Sequence, residues 1–476
     1  MMLGLGLKRN EVKLVDHNPE WEILAAQTIA QLWDICGLAA EDIQHCGSTA
    51  IRHIKAKPDM YITVGVKNMD ATGEILPRLR EIGITRIENR LEDTILCAMD
   101  SEIKSGVHTL YVHILPHGCD TWNENIIFKD YMNSFPQKAA AYEDLKIRLA
   151  EQYPSDRRAY KNGKIAFFKE YFLEARIYND FKQKLGIATL EPLNKGWSND
   201  KKYVIKTTNG KMLLLRIADI AEHDRKKSEY EMMQTVYNQG IPMSQPLDFG
   251  TCAGGDKVYQ LLSWIEGEDA ITALPLLSDT QQYLLGISSG KILRKIHSIP
   301  APINHVDWET RFNKKIDNRI IANKECADAG LTIDGIDHMQ NYVENNRHLL
   351  KNRPQCFQHG DYHVGNMLVK SGELAIIDFN RYDFGDPWEE FNRIVFCAAV
   401  SPHFATGQLN GYFDGKPPED FFKLLALYIA TNQLGALCWA RTFGEEEMDF
   451  CRKQAADVLA WYSNMQNIIP TWYLNT

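Results

Sequence analysis

At 476 residues the chain is longer than one hydrophobic core usually supports, which predicts two or three domains. Hydrophobic residues make up 45% and charged residues 24%, ordinary values for a globular protein, and no uninterrupted apolar run reaches bilayer-spanning length, so a soluble protein without a membrane partner is expected. The formal net charge of -9 argues against nucleic acid as a partner, because a phosphate backbone asks for a basic surface.

The start, MMLGLGLKRN, has neither the basic segment nor the cleavage pattern of a secretory signal, which makes the cytoplasm the expected compartment. Ten cysteines without a C-x-x-C pair argue against a zinc site and a disulfide framework. In chain order, helical spacing runs from Tyr142 to Ala175 with a break near Pro154. A new pattern follows a connecting segment from Tyr178 to Leu193. KKYVIKTTNGKMLLLRI places two β-rich runs around Asn209-Gly210, a hairpin signal. SEYEMMQTVYNQ reads as a helix that stops at Gly240, and GDKVYQLLSWIEG as a strand running into a turn. Beyond about residue 275 the chain is helical except for CFQHGDYHVGNMLVKSGELAIIDFN. The pattern break predicts a boundary near residue 178, with domains at 1–177 and 178–476, the second divided into a β-rich lobe to about 267 and a helical lobe after it.

Phosphoryl transfer needs a positioned hydroxyl, magnesium on the phosphates and a carboxylate beside the attacking oxygen. Residues 359 to 380 supply each. Asp361 can accept the hydroxyl proton. Asn366, five residues on, offers a neutral oxygen to Mg²⁺, and Asp378, at the end of the apolar run LAIID, offers a charged one. Asp361 alone would read as a turn residue and Asp378 alone as a strand-end cap; the joint spacing is what points to a cation between them.

HGDYHVGNML followed by IDFNRYDFGDPWEEF resembles the aminoglycoside phosphotransferase family, over roughly residues 180 to 476. The resemblance implies a bilobal protein-kinase-like fold, ATP or GTP with Mg²⁺, and a small-molecule hydroxyl as acceptor. It places Ser198 and Asn199 on a loop over the phosphates, Arg216 on the α- and β-phosphates, and Glu229 as its helix partner. Backbone groups of Ser263, Trp264 and Ile265 would meet the nucleotide base. His359 and Asp386 would brace the loop. Without the resemblance, Arg216 reads as a surface strand residue, Glu229 as a solvated helix face and Trp264 as core.

The N-terminal half carries HCGSTAI, AKP, LYVHILPHG, FKDYM, YEDLKIRLA and YKNGKIAFF, which resemble the GrpB family. That implies an α/β domain related to nucleotidyltransferases, in which Gly47-Ser48 would meet phosphate and paired acids would hold Mg²⁺. This chain departs from the pattern: Tyr61 stands where the family has an acid, leaving Asp59 as a single carboxylate. A substrate-binding, regulatory or structural role is expected rather than nucleotidyl transfer. Gly47-Ser48 is also compatible with a plain turn, and His113 with a core histidine.

The function expected is ATP-dependent phosphorylation of a hydroxyl on an aminoglycoside or other antibiotic, an antibiotic-resistance activity. The alternatives are a kinase of sugars, amino alcohols or amino acids, and a nucleotide-binding scaffold without turnover. The acidic run Glu445, Glu446, Glu447 and Asp449 would suit an amine-rich sugar, and equally a solvated helix.

Overall fold

The computed structural model describes residues 4–8, 10–87, 94–101, 107–195 and 199–474. They form two compact units, one of residues 1–213, 217–220 and 251–259, the other of 214–216, 221–250 and 260–476. Residue 178, the expected boundary, falls inside a helix of the first unit, Ile165–Leu185.

The first unit opens with β1 (Leu7–Lys8), α1 (Glu20–Cys36), β2 (Ile43–Cys46), β3 (Met60–Val66), α2 (Thr72–Glu81), β4 (Ile84–Ile87), β5 (Ile95–Asp100) and β6 (Val107–Pro116). The strands pair in the order β2-β3-β6-β5-β4, with β1 also on β6. β3 and β6 run parallel, Tyr61 beside Tyr111 and Thr63 beside His113. Because strand side chains alternate, Ile62, Val64, Val112 and Ile114 point together into a core that includes Trp21 and Leu32 of α1 and Ile75 and Leu79 of α2. Tyr61, Thr63, Tyr111 and His113 share the opposite face.

Four helices follow: α3 (Asp120–Ser134), α4 (Pro136–Gln152), α5 (Arg157–Gly163) and α6 (Ile165–Leu185). The helical break expected near Pro154 is the α4–α5 joint, where the Asp156 carboxylate caps α5 by accepting from the Arg158 and Ala159 N–H groups, both at 3.0 Å. α6 ends on Gly186 in the left-handed region.

Next come β7 (Ile187–Pro192), β8 (Lys201–Thr207), β9 (Met212–Asp219), α7 (His223–Asn238), β10 (Pro246–Cys252) and β11 (Lys257–Ser263). Their strand order is β10-β11-β9-β8-β7, and the expected hairpin is present, turning at Asn209-Gly210 between β8 and β9.

The remainder of the second unit is β12 (Glu268–Asp269), α8 (Ala270–Ala273), α9 (Asp279–Ile296), α10 (Trp308–Asp328), α11 (Ile336–Asn346), β13 (Cys356–Gln358), β14 (Met367–Lys370), β15 (Glu373–Ile376), β16 (Asp383–Gly385), α12 (Ile394–Val400), α13 (Pro402–Phe413), α14 (Glu419–Leu434), α15 (Ala436–Ala440) and α16 (Glu445–Trp461). Residues Glu419–Ala440, though interrupted by Lys423, Asn432 and Gln433, are long and apolar enough to cross a membrane, but 78% of the apolar stretch is buried in the fold, as in a core helix.

α9 and α13 cross with backbone against backbone. A Cβ on Gly286, Gly290, Gly407 or Gly411 would overlap a carbonyl oxygen of the facing helix, those of Phe404, Gln408, Tyr283 and Ile287 respectively. Glycine is a poor helix former, by about 1 kcal/mol against alanine, so four of them at one crossing are explained by close approach. Ser289, between two of these glycines on α9, accepts at its carbonyl from the Tyr362 hydroxyl at 2.8 Å.

Candidate active site

β13 pairs antiparallel with β16, which sets the chain after Gln358 beside the chain before Asp383. Gly360 has a φ of 82°, and a Cβ there would overlap the Arg381 carbonyl oxygen, so the turn admits only glycine. His359 is buried. Its Nε2 lies 3.0 Å from the Ile377 carbonyl oxygen and its Nδ1 accepts from the Asp361 N–H at 3.3 Å, the pattern of a neutral ring protonated on Nε2. Burial lowers its pKa and keeps it neutral.

Asp361 is 17% exposed. Burial alone would raise its pKa, but His363, Arg393 and Arg381 outweigh that and hold the carboxyl well below the usual range. His363 Nε2 is 3.5 Å and Arg393 Nε 3.3 Å from its Oδ1, and Arg381 Nη1 is 3.7 Å from its Oδ2. The Asn366 side-chain amide donates to the Asp361 carbonyl at 2.9 Å and to Oδ2 at 3.3 Å, which turns its own Oδ1 away. The β14–β15 hairpin then delivers Asp378: Ile377 N–H donates to the Asn366 carbonyl at 3.0 Å, and Asp378 follows with a φ of 67°.

Asp378 Oδ1 stands 4.0 Å from Arg216 Nη2. Arg216 sits in β9 and Glu229 on α7, 5% and 1% exposed, joined by a 2.9 Å ion pair. Lys226, one turn before Glu229, meets its second oxygen at 3.1 Å, and Lys226 in turn gives its carbonyl to Gln260 at 3.0 Å. The second unit thus gathers Asp361, Asn366, Asp378, Arg216 and Glu229 into one polar seam.

The other candidates stand apart. Ser198 lies outside the described residues, and Asn199 is exposed ahead of β8 in the first unit. Ser263, Trp264 and Ile265 are half-buried at the end of β11. Ser263 directs its N–H to the Gln245 carbonyl at 2.9 Å, while its Oγ accepts from the Gln245 N–H at 2.8 Å, so its own N–H is not a donor to a nucleotide base.

Of the residues that brace the loop, the sequence reading named His359 and Asp386 through the resemblance and passed over Glu390, Arg353 and Tyr428. Glu390, 1% exposed, takes the Gly360 N–H on both oxygens at 3.0 and 3.2 Å and the Tyr362 N–H at 3.3 Å. Asp386, 0% exposed, is held by Arg353 Nε and Nη2 at 2.6 and 3.0 Å and by the Tyr428 hydroxyl at 2.6 Å. Glu390, Arg393, His363 and Arg381 lie within or just beyond the quoted motifs, yet no spacing rule singles them out.

The donor set fits magnesium: a carboxylate and an amide oxygen, with the other positions left to water and phosphate. Among the described residues no group of three or more His, Cys, Asp or Glu could hold a metal ion.

The model of the phosphotransferase enzyme family matches residues 189–422, and that of GrpB protein residues 11–174. The glutamate-rich protein GrpB of Alkalihalophilus pseudofirmus is 36% identical over 154 residues, 32% of this chain and 88% of that protein. The N-terminal part belongs to the GrpB family, and the C-terminal part is a phosphotransferase-family domain. Similar solved structures include the conserved protein GrpB from Enterococcus faecalis, 24% identical, covering 34% of this chain and 96% of that one with a TM-score of 0.31. An ADP-bound aminoglycoside phosphotransferase is 16% identical, covering 63% and 100%, with a TM-score of 0.43.

In the GrpB domain, Asp59 is 1% exposed and lies between two cations, Arg157 Nη2 at 2.7 Å and Lys57 Nζ at 3.3 Å. Tyr61 stacks on Tyr111 with ring centroids 4.8 Å apart. An acid already paired twice is a poor metal ligand. Glu92 and Asp93 lie outside the described residues. His113 is half-buried, and burial lowers its pKa to about 4, so it is neutral. Cavities of about 560 and 370 Å³ also open in this unit, one lined by His45, Arg52, Lys129 and Lys182, the other by His17, His53, Lys55 and Glu143; neither includes Asp59.

Proposed function

We propose that the phosphotransferase domain moves the γ-phosphoryl group of ATP or GTP to a hydroxyl of a small molecule. The observation that carries this is the seam itself: the buried Arg216–Glu229 pair reaches Asp378, while Asn366 ties its neighbour loop to Asp361. Arg216, fixed by Glu229, would meet the α- and β-phosphates. Asn366 and Asp378 would hold Mg²⁺, which when bound neutralises charge on the β- and γ-phosphate oxygens. Asp361 accepts the hydrogen bond of the incoming hydroxyl and orients its oxygen toward phosphorus. With its pKa depressed, it takes the proton late, as suits a loose transition state in which the attacking oxygen has little need of early deprotonation. The P–O bond to the departing nucleoside diphosphate breaks as the new one forms.

We further place the working boundary between the two domains near residue 178 and give the GrpB domain a binding, regulatory or structural role. The twofold pairing of Asp59 supports that role over nucleotidyl transfer. The protein is expected to act in the cytoplasm. The test is ATP consumption by the full-length protein against a panel of hydroxyl compounds, with Asp361→Asn as control. Equal turnover by both proteins would end the assignment of Asp361.

A further inference from the structure

His363 sets an aromatic ring against Asp361. Its Nδ1 accepts the Gly365 N–H at 3.0 Å, which leaves the proton on Nε2, the atom 3.5 Å from Asp361 Oδ1. A Cβ on Gly365 would lie 2.6 Å from His363 Cε1, so only glycine leaves room for the ring. Phe396 of α12 packs on that ring, with centroids 4.8 Å apart. Phe450 of α16 lies nearly parallel to Phe396 in turn, at 11° and 6.3 Å between centroids, within the range of an aromatic pair. A row thus runs from Asp361 through His363 and Phe396 to Phe450. Beside the same turn, Ile271 of α8 brings Cδ1 within 3.7 Å of where a Gly365 Cβ would stand.

Phe450 is 47% and Ile271 48% exposed, and Phe396 is half-buried. A single exposed apolar side chain needs no explanation. Here one stands at Gly365, in the loop that carries Asp361, and another is joined to that carboxylate through two packed rings. Small-molecule sites are built in this way, with apolar and aromatic side chains taking up the unreactive part of a ligand and a few polar groups fixing the rest. The polar side of this one is not made for cations. Arg393, His363 and Arg381 already turn nitrogen donors to Asp361. Glu445 and Asp449, candidates for an amine-rich acceptor, both turn to Arg452, at 2.8 and 2.6 Å.

Resting on the phosphotransferase reading, we propose that the acceptor is a hydroxyl compound with an apolar ring beside its hydroxyl: the ring lies along Phe396 and Phe450, and the hydroxyl reaches Asp361. Burial of apolar area is favourable without directional contacts, so the row sets where the ring lies while Asp361 sets which hydroxyl reacts. The hydroxyl oxygen forms the bond to the γ-phosphorus, the bond to the nucleoside diphosphate oxygen breaks, and the hydroxyl proton passes to Asp361. A polycationic aminoglycoside would bring ammonium groups against Arg381 and Arg393 instead.

The test uses full-length protein with Mg·ATP and matched acceptors: phenyl, cyclohexyl and methyl β-glucoside, 3-phenoxy- and 3-methoxy-1,2-propanediol, and kanamycin. Calorimetry on the Mg·ADP-loaded protein reads their binding apart from turnover. On at least one scaffold the ring-bearing compound is expected to bind and react about tenfold or more better than its methyl counterpart, the size of one well-filled apolar contact. Cyclohexyl matching phenyl shows that the row takes any apolar ring; phenyl ahead of cyclohexyl shows that it takes an aromatic one. Phe450→Ser, a change at an exposed side chain, should cut that preference about tenfold through KM, with kcat changed by less than about threefold, and Phe450→Tyr should keep it. Ile271→Ser provides a second variant at the loop itself. Equal use of ring-bearing and methyl compounds, kanamycin preferred to all of them, or an undiminished preference in both serine variants overturns the proposal. So does a wild-type dimer that Phe450→Ser dissociates, since a second copy would then cover the row. Absence of Mg·nucleotide binding altogether is a different failure, that of the phosphotransferase reading on which it rests.

Discussion

Both carboxylate oxygens of Glu390 accept the N–H of Gly360, at 3.0 and 3.2 Å, so a helical-lobe side chain holds the turn that presents Asp361. Glu390→Gln removes the charge from a group buried among donors and is expected to lower stability by about 3 kcal/mol, the range for breaking a buried charged contact. Denaturant titration reads this, and phosphotransfer should fall with it. The same group sets an acid limit. Burial alone would raise the Glu390 carboxyl, but His297, 3.8 Å away, together with the Gly360 N–H holds it below its ordinary 4.5. A depressed carboxyl contributes its stability above pH 4.5 and loses it as pH falls below that toward the lowered value. Wild type should therefore destabilise steeply on acidification through that window, and Glu390→Gln less so.

Asp361→Asn keeps the shape and the contact with Asn366 but cannot take a proton. Transfer should drop by about 10²–10⁴-fold, the usual worth of a general base, while Mg·ATP affinity by calorimetry stays close to wild type. Asp378→Ala should weaken Mg·ATP binding as well as transfer. A loss of nucleotide binding in Asp361→Asn equal to that in Asp378→Ala would refute the division of roles.

Arg216→Ala leaves Glu229 buried with Lys226 alone, and Glu229→Ala leaves Arg216 and Lys226 facing each other. Each is expected to weaken nucleotide affinity, by about 2–5 kcal/mol when a buried charged partner is cut away. The double variant should cost much less than the sum, because the pair acts as one unit. Additive losses would show that the two residues work separately.

Asp59→Ala strips the shared partner from Lys57 and Arg157, so the GrpB domain should lose stability while phosphotransfer by the full-length protein changes by less than about twofold, since Asp59 has no part in the proposed transfer. Incubation with labelled ATP and Mn²⁺ should yield no nucleotidylated product. A product that disappears in Asp59→Ala would make this a two-activity enzyme.

The candidate catalytic loop was legible because its parts lie within twenty residues of one another and a strand-turn-strand brings near neighbours together. Asp361, Asn366 and Asp378 need only that local geometry. Glu390 and Arg353 were not legible as supports, for they arrive from outside the loop: Glu390 from the segment before α12, Arg353 from ahead of β13. Arg311 and Lys315 stand one turn apart on α10, and only packing shows that they meet Asp383 and Glu389. In the GrpB domain the missing acid at Tyr61 could be read directly, whereas the pairing of Asp59 with Arg157, 98 residues away, could not. Backbone use is silent in sequence altogether, as Ser263 illustrates.

The glycine crossing of α9 and α13 leaves no room for even one methyl group, and Ser289 in its midst carries the hydroxyl of Tyr362, next to Asp361. In a library of random variants selected for lost activity, Gly286, Gly290, Gly407 and Gly411 should therefore be recovered as often as the residues that handle phosphate. A mutational map of this enzyme would draw a second active site where no substrate ever goes.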